Sequence, residues 1–156
     1  MEGEAGAIQI EELLQLLPHR FPFLLLDRIV HIEPAVRITG VKSVTSDEPF
    51  FATMEGQSLI MPGLLIIEAL AQTGAVLLMV GQETPHAKLV YFAGVDAATW
   101  HGVVRAGDQL HLEITVTRAR GRLCRVHGIA RVENDVVCEA DLAAVVVDRE
   151  AAASSR

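Results

Sequence analysis

The feature that most constrains this chain is one long apolar run. From Leu59 to Val80 it is broken only by Pro62, Glu68, Gln72 and Thr73 among small and apolar residues. A bilayer span wants about 20 predominantly apolar residues with few or no charges. Because this run is interrupted, it reads as the buried helix of a soluble domain. Pro62-Gly63 opens the helix over Leu64 to Val80, proline being favoured at the first helical position because its missing N–H has no partner there anyway. Gly81 is a good stop. Up to ~19 residues at ~1.5 Å rise give a rod of roughly 28 Å. Leu64, Leu65, Ile66, Ile67, Leu70, Val76, Leu77 and Leu78 leave it no polar face, so the rest of the chain must enclose it.

The rest is suited to that task. Ile10 to Leu17 has helical apolar spacing and Pro18 ends it. Strands are expected over Phe23 to Ile32, Val36 to Val44, Lys88 to Val95, Gln109 to Arg118, Arg122 to Val132 and Val136 to Asp148, with a loop over Ser46 to Ser58. Arg120-Gly121 and Glu133-Asn134-Asp135 mark turns. The tail Ala151 to Arg156 is expected to fray. The architecture is therefore α+β: one domain over residues 1–156, core about 8–149, with about six antiparallel strands curved around a central helix. Such a sheet leaves open edges, and a dimer joining them is expected.

The 156 residues carry a formal charge of −7, which argues against nucleic acid as a partner. Two cysteines, Cys124 and Cys138, do not make a disulfide framework. Met1 to Gly6 are acidic with no apolar h-region, so a cytoplasmic protein is expected.

Glu68 is the most informative residue. A lone carboxyl in an apolar helix is costly to ionise unless paired, and a carboxyl kept protonated can act as a general acid. A structural glutamate bonded to a polar neighbour is as good a reading. Gln72, four residues on, shares its helix face and can orient it, or can be a core amide satisfied by a loop carbonyl. Gly63 offers an N–H with no intrahelical partner. His19, His31, His86, His101, His111 and His127 are scattered without metal-ligand spacing, so no metal is expected and each reads as a surface or structural histidine. Arg118, Arg120, Arg122, Arg125 and Arg131 cluster around Gly121, either as a solvated hairpin or as a docking patch for an acidic carrier.

Several segments together resemble the FabZ-type (3R)-hydroxyacyl-acyl-carrier-protein dehydratases. They are Leu17-Pro18-His19-Arg20-Phe21-Pro22-Phe23-Leu24-Leu25-Leu26-Asp27-Arg28, Asp47-Glu48-Pro49-Phe50-Phe51, and Pro62-Gly63-Leu64-Leu65-Ile66-Ile67-Glu68-Ala69-Leu70-Ala71-Gln72. Tyr91-Phe92-Ala93-Gly94-Val95-Asp96 and Val104-Arg105-Ala106-Gly107-Asp108-Gln109-Leu110 follow in the same order. The resemblance runs from about Ile8 to Arg149. It implies a hot-dog fold, a homodimer or trimer of dimers, and removal of water from a 3-hydroxyacyl chain on acyl carrier protein without metal or cofactor. It also implies a site at the dimer interface, with a histidine from one subunit and the helix carboxylate, here Glu68, from the other. Gln72 matches the residue beside that carboxylate, Gly63 the one whose N–H holds the thioester carbonyl, and Tyr91, with Phe92 and Phe51, the acyl tunnel. Arg118, Arg120 and Arg122 are the carrier-docking candidates.

One departure stands out. Phe51-Ala52 is followed by Thr53-Met54-Glu55-Gly56-Gln57, and Met54 falls where the family has its histidine. A thioether is a very weak acceptor and takes no proton near pH 7. Glu55 is the nearest candidate substitute. The readings carried forward are a weakened dehydratase, an impaired subunit paired with a histidine-bearing paralogue, a hot-dog thioesterase, and an acyl-carrier-binding module.

Overall fold

The computed structural model describes residues 6–52 and 57–154. Helix α1 (Ile10–Leu16) leads into strands β1 (Arg28–Glu33) and β2 (Arg37–Ser43). Helix α2 (Gly63–Val80) follows, then β3 (Lys88–Trp100), β4 (Gln109–Arg120), β5 (Leu123–Val132), β6 (Asp135–Asp148) and α3 (Arg149–Ala153). The strands form one antiparallel sheet in the order β1-β2-β4-β5-β6-β3. It curves around α2, whose residues from Ala69 to Met79 are all buried. This run is long and apolar enough to cross a membrane, yet 72% of it is buried inside the molecule.

Apolar and polar residues alternate along β4, which places Leu110, Leu112 and Ile114 in the core and their neighbours toward solvent. Small residues let helix and sheet approach closely. A Cβ on Gly40 would lie 2.6 Å from Leu26 Cδ1 and 3.0 Å from Thr73 Oγ1. Thr73 is fixed by donating to the Ala69 carbonyl at 2.9 Å. Both cysteines are free and buried, and burial together with Glu139 pushes the Cys138 thiol up to about 11.

Four expectations are corrected. The first strand begins at Arg28, not Phe23. Phe23 and Leu24 donate to the Arg20 carbonyl, and the Phe23 carbonyl and Leu25 N–H are taken up by Gln72, so no ladder forms there. Pro62 caps α2 from one residue outside rather than occupying its first turn. Strand β3 runs on past Val95 to Trp100 because β6 continues beside it. The tail is helical over Arg149–Ala153, and the Arg149 guanidinium donates to the Leu16 carbonyl at 2.7 Å. In addition, the loop after β2 contains a 3₁₀ turn, Pro49–Phe51, anchored by Lys42 Nζ to Glu48 Oε1 at 2.7 Å.

Edge strand β3 has no fully buried residue, and Tyr91, Val95 and Trp100 are exposed on it.

The Gly40 contact yields a stability prediction. Gly40→Val gains at most ~1 kcal/mol in strand propensity. The overpacking against Leu26 and Thr73 costs about 1–3 kcal/mol, so the variant should be less stable in urea denaturation. Unchanged stability would mean that helix and sheet are not in contact there.

Candidate active site

Glu68 and Gln72 lie one turn apart on α2, on the face turned toward the irregular segment between α1 and β1. Gln72 is 1% exposed and makes a complete set of bonds. Its Oε1 accepts the Leu25 N–H at 2.9 Å. Its Nε2 donates to the Phe23 carbonyl at 2.7 Å and to Glu68 Oε1 at 2.9 Å. The backbone partners fix which end of the amide faces the carboxyl, because only the N–H₂ end can serve the Phe23 carbonyl. Gln72 is thus both the orienting amide and the loop-satisfying core amide, two readings the sequence set against each other.

Glu68 is not sealed in the core: its side chain is 27% exposed. Oε1 also faces His19 Nε2 at 3.4 Å, within ion-pair range. No other hydrogen bond to the Glu68 carboxyl is made among the described residues. His19, 28% exposed, is brought here by Arg20, whose guanidinium takes the carbonyls of Leu14, Leu17 and His19 at 2.7–2.9 Å. The His19 ring lies near Phe23, centroids 6.5 Å apart, and its Nδ1 is buried with no partner among the described residues. Sequence reasoning missed His19, treating it as one of six scattered histidines. The available signal was its place in the Leu17–Arg28 segment that already carried the resemblance.

Gly63 begins α2, and the Trp100 indole lies over it. Trp100 Nε1 donates to the Gly63 carbonyl at 3.1 Å, and a Cβ on Gly63 would meet that nitrogen at 2.6 Å. The ring therefore requires glycine there. Met54 and Glu55 lie outside the described residues.

The remaining candidates are dispersed within the single chain. Phe51 is buried in the core, edge-on to Phe50 at 4.7 Å. Phe92 is half-buried and packs inward. Its neighbour Tyr91, 54% exposed, lines a cleft of about 480 Å³ with Leu89 and Arg149. Arg118, Arg120, Leu123 and Arg125 line a separate cleft of about 220 Å³. Arg122 lies instead beside Lys88 and Asp148. Arg125 is ion-paired with Asp96, and Arg131 with Glu113 at 3.1 Å.

Two further histidines are drawn together on the exposed side of the sheet. His127 Nδ1 meets Asp141 at 2.7 Å, and His101 Nε2 meets Glu139 at 2.8 Å. The β5–β6 register sets His127 opposite Asp141. Among the described residues, no group of three or more histidine, cysteine or acidic side chains is placed to hold a metal ion.

A curved antiparallel sheet around one apolar helix, with a carboxyl on that helix, defines a hot-dog domain. The dehydratase heterocomplex ApeI:P from Xenorhabdus doucetiae shares this fold, with a TM-score of 0.73 at 16% identity over 91% of this chain and 95% of that one. The FabA-like domain profile matches residues 17–141. The 3-hydroxyacyl-acyl-carrier-protein dehydratase FabZ of Bacillus subtilis strain 168 is 44% identical over 86% of this chain and 95% of its own length. The same-named protein of Chloroflexus aggregans is 48% identical over 90% and 97%. The chain belongs to the FabZ-type hydroxyacyl-acyl-carrier-protein dehydratase family.

Removing the Gln72 carboxamide tests how the site is held. Gln72→Leu leaves the Leu25 N–H and the Phe23 carbonyl unpaired, at about 1–3 kcal/mol for each stranded group. A destabilisation of about 2–6 kcal/mol in urea is expected on that basis. A loss below ~0.5 kcal/mol would show that water replaces the amide freely.

Proposed function

We propose that this chain works as a (3R)-3-hydroxyacyl-acyl-carrier-protein dehydratase, with Glu68 as the acid that protonates the departing hydroxyl. The observation that carries the reading is the Glu68 carboxyl, set in an otherwise apolar helix, held at Oε1 by Gln72 and reachable from solvent. Loss of water from a 3-hydroxyacyl thioester needs a proton delivered to the C3 oxygen and a proton taken from C2, with the electron pair closing the C2–C3 double bond. A thioester carbonyl polarised by the N–H groups at the start of α2, at Gly63, makes the C2 proton more acidic. Trp100 bonds the carbonyl of the next peptide, Gly63–Leu64, and so helps fix the backbone at the start of α2.

The base is where this chain departs from its family. Met54 is unfit, and Glu55 is the only adjacent carboxylate available to replace it. A positioned acid or base contributes roughly 10²–10⁴ in rate, so the isolated protein is expected to be slow. Met54 also favours a second reading, in which this chain lends Glu68 to a histidine-bearing paralogue in a mixed dimer. In either case we place a second chain along β3, whose exposed Tyr91, Val95 and Trp100 leave that edge unfinished. Tyr91, Phe92 and Phe51 are assigned to the acyl tunnel that the second chain completes, and Arg118, Arg120 and Arg122 to docking of the acidic carrier. No cofactor is invoked, and the cytoplasm is the expected compartment. The thioesterase and pure carrier-binding readings are not favoured, because relatives 40–48% identical over nearly their full length are named dehydratases.

The test is product analysis on a 3-hydroxyacyl-carrier substrate. Slow formation of the trans-2-enoyl product is expected, faster on addition of a histidine-bearing paralogue if the mixed dimer forms. Glu68→Gln should lower the rate by at least ~10²-fold. Release of free thiol, or dehydration indifferent to Glu68→Gln, would overturn the reading.

A further inference from the structure

Glu68 has two oxygens, and the structure treats them differently. Gln72 Nε2 donates to Oε1 at 2.9 Å, and His19 Nε2 faces the same oxygen at 3.4 Å. None of the described residues hydrogen-bonds Oε2. An oxygen that accepts N–H bonds behaves as the carbonyl of a carboxylic acid, so the acid proton belongs on the other oxygen. One donor leaves the carboxyl little reason not to turn over. Gln72 supplies the one hydrogen bond to Oε1, and His19 Nε2, at 3.4 Å, is placed as a second donor that would bias it further.

The surroundings of His19 settle which of its nitrogens carries the proton. Nδ1 is buried and has no partner among the described residues, whereas Nε2 has the Glu68 carboxyl in front of it. Nδ1 goes unpaired in either tautomer, but only a proton on Nε2 gives the ring a hydrogen-bond acceptor, the Glu68 carboxyl. The ring is therefore an Nε2–H donor. In that form it has no lone pair to offer at Nε2, and it does not replace the imidazole missing at Met54.

We infer that His19 is a positioning residue for the Glu68 acid: with Gln72 it occupies Oε1, so that the transferable proton sits on Oε2, toward the substrate. The 3.4 Å approach tightens when substrate closes the site, as catalytic hydrogen bonds commonly do. The inference rests on Glu68 being the acid, as proposed above.

The test uses the full chain with His19→Phe and His19→Gln. Loss of one such hydrogen bond corresponds to about tenfold in rate. His19→Phe should lower kcat by about that factor with KM within about twofold, and His19→Gln, whose amide N–H reaches Oε1, should recover most of it. His19→Phe as fast as the unaltered protein, or His19→Gln as slow as His19→Phe, would overturn the role. If the unaltered protein shows no turnover, alone or with a histidine-bearing paralogue, the dehydratase reading itself fails, and nitrogen NMR of the unaltered protein decides the His19 question separately. The neutral ring should hold its proton on Nε2, with slower exchange to water than in Glu68→Leu. A proton on Nδ1, or exchange unaffected by Glu68→Leu, would overturn the inference.

Discussion

The carboxamide of Gln72 joins three things that have no other reason to be together. It completes the backbone bonding of Phe23 and Leu25, it rests on the central helix, and it holds Glu68 by one oxygen. Buried polar groups are tolerated only when paired, so this one side chain ties the irregular segment after α1 to the helix it covers. That segment in turn carries His19, fixed by Arg20 through the carbonyls at the end of α1. The geometry of the Glu68 carboxyl is thus a consequence of how the chain closes over one end of α2.

The sheet supplies the rigid frame. An apolar helix of 18 residues has no face to show water, and five of the six strands lie against it. Glycine and alanine along the inner face, such as Gly40, Ala130, Ala140 and Ala144, bring the backbone close to the helix. Glu68 lies in the second turn of that helix, where burial gives way to access. Had it fallen two turns later, among Ala75 to Met79, nothing would reach it.

Much of this was legible in the sequence, for definite reasons. A helix with no polar face has to be central, and its lone carboxyl and amide at a spacing of four have to meet. The alternation from His111 to Thr117 suits a half-exposed antiparallel strand, and Leu112 and Ile114 do face the core. His19 was not legible, because its approach to Glu68 spans 49 positions and depends on a guanidinium capping α1. The start of β1 was misjudged for a related reason: Phe23 to Leu25 have the composition of a strand, yet their backbone bonds go to Arg20 and Gln72. Nor does clustering in sequence guarantee clustering in space. Arg118, Arg120 and Arg125 gather around Leu123, while Arg122 faces Asp148 and Arg131 faces Glu113.

The proposed mechanism sets a carboxyl held by Gln72 against Met54, a side chain with no proton chemistry at the position the family resemblance gives to histidine. The most direct measurement compares dehydration by the unaltered protein, by Met54→His, and by Met54→His with Glu68→Gln. The account predicts that the imidazole raises the rate by roughly 10²–10⁴-fold and that losing Glu68 cancels the gain. An imidazole that gains nothing, or a gain that survives without Glu68, would contradict it.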